Sequence, residues 1–394
     1  MSEWKEYRLK DITTDIGDGI HGTPKYSEDG EYYFINGNNI SKGKVIIKGD
    51  TKKVNQTEFE QYKKPLSDRT ILLSINGTIG NVGFYNHEKC ILGKSACYFN
   101  LKDNVDKHFV YYTFLTDDFQ SHLLNIATGT TIQNVPLKGL RESIILLPSL
   151  DEQKRIASIL SSLDDKIDLL NRENVTLEAM AETLFRQWFI EEAKEDWEEK
   201  SLLGCIKLVG GGTPKTSISN YWDGNVCWLS GGDIAGNHKR FVYTSEKSIS
   251  NEGLNNSSAK LLPENAMVVS ARGTVGKYCL LSKPMAFSQS NYGILPVFDK
   301  CYFFTYLLVA FHIEEIQNAA YGSVFDTITT KTFEVVMVKL PHIDEIIAFE
   351  KSISPYFEKM KLNEQQIKFI SKQRDMLLPK LMSNEIKNEH YGSK

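Results

Sequence analysis

The sequence predicts an α+β fold. Two mixed α/β domains are separated by two long helices that form an antiparallel coiled coil, the whole being a pseudo-two-fold tandem duplication. Three observations predict it. Ordered motifs recur at shifts of 190 to 196 residues, each half contains short β-like runs, and each half closes on a heptad-patterned stretch.

The duplication rests on six matches in one order. Trp4-x-x-x-x-Leu9 recurs as Trp197-x-x-x-x-Leu202, and Gly22-Thr23-Pro24-Lys25 as Gly212-Thr213-Pro214-Lys215. Phe34 to Ile40 is echoed by Trp228 to Ile234, and Ser74 to Gly80 by Ser270 to Gly276. Tyr111 to Leu115 returns as Phe303 to Leu307, and Leu147 to Glu152 as Leu340 to Glu345. The drift between shifts fits small loop insertions. The 394 residues are thus two units near 193 residues and a short tail. Five segments follow: a domain at 1–148, a helix at 149–193, a domain at 194–341, a helix at 342–385 and a tail at 386–394.

Within each domain the runs read in order. Ile71 to Ile75 and Val82 to Tyr85 flank Asn76-Gly77, a hairpin signal. Tyr111 to Leu124 and Tyr302 to Gln317 read as helices. Ile144 to Leu147 and Val335 to Val338 read as final buried strands, each closed by a proline, Pro148 or Pro341.

The first long helix follows Pro148. Asp151 and Glu152 place acid in its first turn, where the helix dipole favours it. Ile156, Leu160, Leu163, Ile167, Leu170, Asn174, Leu177, Ala181, Leu184 and Trp188 then alternate spacings of four and three. That is a heptad seam. The second unit repeats the register with Phe349, Ile353, Tyr356, Met360, Asn363, Ile367, Ile370, Arg374, Leu377 and Leu381. Asn174, Asn363 and Arg374 put polar groups in the seam, which fixes register at a cost in stability. A helix of about 40 residues spans roughly 60 Å. A pseudo-two-fold pair of domains would match the approximate dyad of a DNA duplex.

Composition excludes several classes. No apolar run reaches the roughly 18 residues of a membrane span, and the N-terminus Met1 to Glu6 lacks a signal core. A cytoplasmic protein is expected. The six cysteines form no C-x-x-C pair, which argues against a zinc site or a disulfide framework. The net charge of −4 excludes a strongly basic chain, and its acidity is concentrated at residues 151–196, with net charge −6. The domains themselves are close to neutral.

Catalytic signatures are missing. None of the 11 prolines adjoins another, so no Asn/Asp-Pro-Pro-aromatic run of an adenine methyltransferase exists. In both Gly-Thr-Pro-Lys turns the proline removes an N–H that a phosphate cradle would need. Asp164-Asp165 lies on the heptad helix and reads as a solvated face.

The stretch Leu147-Pro148-Ser149-Leu150-Asp151-Glu152-Gln153-Lys154-Arg155-Ile156, then Leu163-Asp164-Asp165-Lys166-Ile167, then Leu177-Glu178-Ala179-Met180-Ala181 and Leu184-Phe185-x-x-Trp188-Phe189, resembles the central spacer helix of type I restriction–modification specificity (S) subunits. The C-terminal copy departs from it, with Ile346-Ile347-Ala348 for Gln153-Lys154-Arg155 and Leu381 for Trp188. The resemblance covers nearly the whole chain. It implies two target-recognition domains, each reading half of a bipartite DNA sequence, and spacer helices that measure the gap. It implies no catalysis by this chain and no cofactor bound to it. Double-stranded DNA, two methyltransferase (M) subunits and restriction/translocase (R) subunits are the implied partners. S-adenosylmethionine, ATP and Mg belong to those subunits. A methylation-only or type IIB-like system would use the same kind of subunit. A nucleotide-dependent enzyme and a coiled-coil adaptor without a DNA role are the alternatives outside the family.

Base edges are read by Arg, Lys, Asn, Gln, Ser or Thr, and phosphates by Lys, Arg and backbone N–H groups. Candidate DNA-binding residues in the first domain are Lys25, Asn38, Asn39, Lys52, Lys53, Arg69, Asn76, Thr130, Thr131, Gln133 and Asn134. Those in the second are Lys215, Asp233, Lys239, Arg240, Arg272, Tyr321 and Ser323. Asn76 and Arg272 occupy equivalent hairpin tips with different side chains, as two specificities require. Leu184, Phe185, Trp188 and Phe189 form an aromatic helix end expected to be exposed and to dock methyltransferase subunits.

Overall fold

The computed structural model describes residues 4–321 and 326–383. Two compact units emerge: residues 1–167 with 369–394, and residues 168–368. Each long helix contributes residues to both.

In the first unit a four-stranded antiparallel sheet runs in the order Thr13–Asp18, Ala96–Leu101, Thr70–Ser74, Val82–Phe84. A smaller sheet pairs Tyr32–Ile35 parallel to Cys90–Leu92 and antiparallel to Lys53–Val54. Lys5–Arg8 and Ile144–Leu147 form a separate antiparallel ribbon. Thr70–Ser74 and Ala96–Leu101 are buried throughout, their mostly apolar side chains filling both faces. Phe99, Phe109, Phe114 and Leu123 join them in the core, onto which Ile156, Ala157 and Leu160 of the central helix pack.

The second unit repeats this plan. Its five-stranded sheet runs Ile206–Gly210, Asn291–Pro296, Met267–Ser270, Tyr278–Leu281, Phe241–Val242. Trp222–Leu229 pairs parallel to Met285–Phe287, as Tyr32–Ile35 does with Cys90–Leu92. Glu198–Ser201 and Met337–Leu340 form the equivalent ribbon. The duplication read from six short motifs therefore extends to strand order and direction.

The hairpin at Asn76-Gly77 is present, with Ile71 opposite Phe84 and Leu73 opposite Val82. Its loop is wider than a two-residue turn. Gly80 (φ +93°) and Gly276 (φ +78°) return the chain at equivalent points, where Gln120 and Gln317 press against the backbone and donate to the carbonyls of Gly80 and Val275. A Cβ would strike those amides.

Three elements depart from expectation. The helix read from Tyr111 to Leu124 is two helices, Lys107–Leu115 and Asp117–Ile126. Thr116, extended at φ −67°, ψ 146°, ends the first and caps the second. The helix read from Tyr302 to Gln317 likewise breaks at His312 into Tyr302–Phe311 and Ile313–Tyr321. The final strands are half-buried: Ile144 and Leu146 face outward, because the ribbon has one covered face. The second of these strands begins at Met337, since Val335 ends the short helix Thr330–Val335.

The central helix spans Leu150–Arg186 and ends in a wide turn at Gln187–Glu191; its partner spans Ile343–Met382. The pairing is antiparallel. In the second unit Asn363 Nδ2 donates to Asn174 Oδ1 (2.8 Å), while Trp188, 14 residues on, meets Phe349, 14 residues back, at a ring distance of 5.4 Å. The seam residues of both helices are buried or half-buried. In the first unit Arg374 donates to Asp164 Oδ1 (2.7 Å) and the Tyr112 hydroxyl to Asp164 Oδ2 (2.7 Å). Asp164 is therefore a seam ligand, which corrects its reading as a solvated face. Asn174 and Asn363 meet across the helix pair, with Asn363 Oδ1 left buried and unpaired, and Arg374 is answered by Asp164.

Candidate nucleic-acid interface

Four turns of the first unit converge at one end of its main sheet. The Ser95 hydroxyl accepts from Gly37 N (2.9 Å) and donates to Asn36 Oδ1 (3.0 Å), while the Ser95 carbonyl accepts from Ile75 N (2.9 Å). Asn76 Nδ2 donates to Asn134 Oδ1 (3.2 Å), and Gly77 N donates to the Gln133 carbonyl (3.2 Å). Backbone and short side chains lock the turns together. The exposed side chains on this rim are Asn38, Thr78, Lys94, Thr130, Thr131 and Gln133. They are short or polar groups on a braced loop cluster, which suits base-edge contact.

The second unit builds the same rim. Ala271 N donates to the Ser290 carbonyl (3.0 Å), as Ile75 N does to Ser95. The Thr274 hydroxyl lies 2.8 Å from Ser270 Oγ and 3.3 Å from the Gly231 carbonyl. Ile328 N donates to the Ala271 carbonyl (3.1 Å), matching Val135 N to Ile75 (2.8 Å). Gly232, Arg272 and Gln289 are exposed here, beside a cleft of about 360 Å³ walled by Thr213, Trp228, Ser288 and Ser290. Lys94 and Gln289 hold equivalent places. Sequence reading missed both, although Ser95 and Ser290 differ by 195, inside the range of the other repeats.

Several candidates stand elsewhere or are otherwise engaged. Asn39 is buried. Its amide donates to the Ile46 carbonyl (3.0 Å) and to Thr51 Oγ1 (3.2 Å), while its oxygen accepts from Asn36 N (3.1 Å). Arg69 Nη2 donates to the carbonyls of Lys102 and Val105 (2.6 Å each), which commits it to bracing a loop. Asp233 is a helix cap: its carboxylate accepts from Ser230 N (2.8 Å), Ser230 Oγ (2.6 Å) and Glu246 N (2.9 Å). All three side chains hold local structure. Lys25, Lys52 and Lys215 are exposed but lie on other turns, and half-buried Lys53 sits 5.6 Å over the Tyr33 ring. Tyr321 is exposed, and Ser323 lies outside the described residues.

Lys239 and Arg240 face the long helices. Lys239 Nζ pairs with Glu182 (3.0 Å), and the charge of exposed Arg240 favours the ionised form of the half-buried carboxyls of Glu178 and Glu364. Burial pushes Glu364 up to about 7, against the pull of Arg240 and the Phe241 backbone. A carboxyl raised above its unfolded value of 4.5 holds its proton more tightly when folded. Its stabilising contribution is full below about 4.5 and is lost as pH rises through about 7. Glu364→Gln should therefore raise stability at pH 8 by on the order of 2 kcal/mol and by progressively less toward pH 5. Denaturant melts of both proteins across that range check it; a gain that grows toward low pH would contradict it.

The aromatic helix end is not an open surface. Phe185 and Phe189 are 2% and 4% exposed, packed against Phe304 and Phe349 of the second unit. Leu184 and Trp188 are half-buried beside them. The expected exposure of this end is overturned, because the helix end completes a domain core.

The described residues include no group of His, Cys, Asp or Glu arranged to hold a metal, and no helix long and apolar enough to cross a membrane. The thiols are free, and five of the six are buried. Burial pushes Cys90 up to about 12 and Cys205 to about 11, leaving little thiolate for chemistry.

Comparison with known proteins places this geometry. The family model described as the type I restriction modification DNA specificity domain matches residues 1–179 and again 194–392. The chain is 26% identical over 392 residues to the type I restriction enzyme MjaIX specificity subunit of Methanocaldococcus jannaschii, covering 93% of this chain and 86% of that one. It is 22% identical to the HindI specificity subunit of Haemophilus influenzae, covering 98% and 100%. The crystal structure of the type I restriction–modification S subunit from M. genitalium shares the fold, with a TM-score of 0.60, 18% identity and 96% of each chain covered. With both repeats matched, the chain belongs to the family of type I restriction–modification specificity subunits, the non-catalytic DNA-recognition components of such systems.

Proposed function

We propose that this chain reads a bipartite double-stranded DNA target, one half-site per recognition domain, across a non-specific gap set by the two spacer helices. It recruits two methyltransferase subunits and restriction/translocase subunits, which carry S-adenosylmethionine, ATP and Mg. The complex works in the cytoplasm. One observation carries this reading: the same braced rim is built twice, with different exposed side chains at equivalent points. Exposed Lys94 corresponds to exposed Gln289, and half-buried Asn76, bonded to Asn134, corresponds to exposed Arg272. A scaffold that needed only the fold would not require such divergence on a shared frame.

Arg272→Ala tests it. Arginine paired bidentately with guanine is worth roughly 1–3 kcal/mol of discrimination. In complex with methyltransferase subunits, the variant should accept other bases at one position of one half-site, with the other half unchanged. Competition binding against single-base variants measures this. Uniform weakening on all sequences would assign Arg272 to a phosphate and contradict the reading.

A further inference from the structure

The heptad seam is written once in each repeat, so each spacer helix carries an apolar stripe that could also pair with its own copy on a second chain. The order of synthesis makes that competition real. The central helix ends at Arg186, and its partner begins only at Ile343, a whole recognition domain later. Until then the other seam available to it is the central helix of another copy, because chains fold from the N-terminus as they are made.

The polar residues of the seam distinguish the two partners. In the second unit Asn363 is fully buried, and its Nδ2 donates to Asn174 Oδ1 (2.8 Å) and Glu173 Oε2 (2.9 Å). In the first unit Arg374 Nη1 donates to Asp164 Oδ1 (2.7 Å). At the repeat shift of 193, Asn174 corresponds to Ile367, Asn363 to Leu170, Asp164 to Phe357 and Arg374 to Ala181. Each polar group thus occurs in one repeat only, and its partner occurs only in the other.

Pairing like with like would scatter these groups. The observed register sets residue 174 against 363 and 188 against 349. Transferred to two central helices, it sets Asn174 against Leu170 and Asp164 against Ala181. The other seam layers, such as Leu160 with Leu184 and Ile167 with Leu177, would stay apolar. Transferred to two C-terminal helices, it sets Asn363 against Ile367 and Arg374 against Phe357. A buried amide or charge that loses its partner costs more than the pairing yields, so every like pair is penalised at both ends of its dyad. Stability alone does not account for the set. Asn363 Oδ1 is buried without a donor even in the native pair, a cost that an apolar layer would avoid.

We propose that Asn174, Asn363, Asp164 and Arg374 form a pairing code. It admits the helix of one repeat against the helix of the other and rejects a second copy of this chain presenting a like helix. The two unlike recognition domains are thereby kept on one helix pair. The proposal rests on the helix pair and holds whether or not the domains read DNA.

The test co-expresses two differently tagged full-length copies and treats them with a lysine-reactive cross-linker. Asn174→Leu with Asn363→Ile rebuilds the polar layer in the image of Leu170 and Ile367. The wild type should be monomeric. The double variant should unfold at the same or a higher denaturant concentration, yet co-purify with its second copy several-fold more. Exposed Lys166 should then cross-link to Lys166 of the second copy, which reports central helices paired with each other. Arg374→Met with Asp164→Asn, which keeps an acceptor for the Tyr112 hydroxyl, should also raise the like-helix fraction. An amide double variant as monomeric as the wild type, or less stable than it, would overturn the proposal. So would like-helix cross-links already present in the wild type, or variant dimers cross-linked only between unlike helices.

Discussion

Exchanging residues 1–148 for the corresponding domain of another specificity subunit should replace one half of the methylated sequence and leave the other half untouched. The expectation rests on where the domain keeps its contacts. Its main sheet, its smaller sheet and its four-turn rim are all held by hydrogen bonds internal to the first unit. Its core reaches the central helix through Ile156, Ala157 and Leu160, and its polar latch is Tyr112 with Asp164. A donor domain that supplies a hydroxyl at the Tyr112 position should therefore seat on the same helix. The readout is adenine methylation of genomic DNA by the complex. A change in both halves would show that the rims do not act separately.

Phe185→Ala should destabilise the second unit by about 3–5 kcal/mol, a large part of the margin of an ordinary domain. Phe185 is 2% exposed and lies 5.7 to 6.1 Å from the rings of Phe304, Phe311 and Phe349. Its truncation opens a void among rings borne on two separate helices, and rings fixed on helices relax little into it. Leu184→Ala, at a half-buried position, should cost clearly less. Denaturant unfolding of the two variants compares them. Equal, small losses would mean that the helix end does not complete that core.

These two expectations draw on different depths of sequence legibility. The heptad seam was readable because its signal is local: ten positions at spacings of three and four admit one face. The duplication was readable because both copies kept their turn residues, and Gly80 and Gly276 show why, since equivalent amides press on them. The helix breaks at Thr116 and His312 do carry a local mark, a polar group followed by two acids in the next turn, as in Thr116-Asp117-Asp118 and His312-Ile313-Glu314-Glu315. One capping hydroxyl or a local change of backbone direction decides them. The fate of polar side chains was least legible. Arg69 spends its guanidinium on carbonyls more than 30 residues away, and Asp164 meets Arg374 at a separation of 210. Nothing local distinguishes such a residue from a solvent-facing reader. The aromatic helix end misled for the same reason: Phe349, which covers Phe185, lies in the other repeat. The residues that stayed on the rim are those on short turns, where partners are mostly backbone groups of neighbouring turns.

In the proposed reading, one chain presents two separate rims to one DNA duplex. Mapping adenine methylation across a genome methylated by this chain with its methyltransferase subunits tests it most directly. A single motif is predicted, with two short specified blocks separated by a gap of fixed length and unspecified sequence. A continuous motif with no gap, or methylation without any shared sequence, would contradict the account.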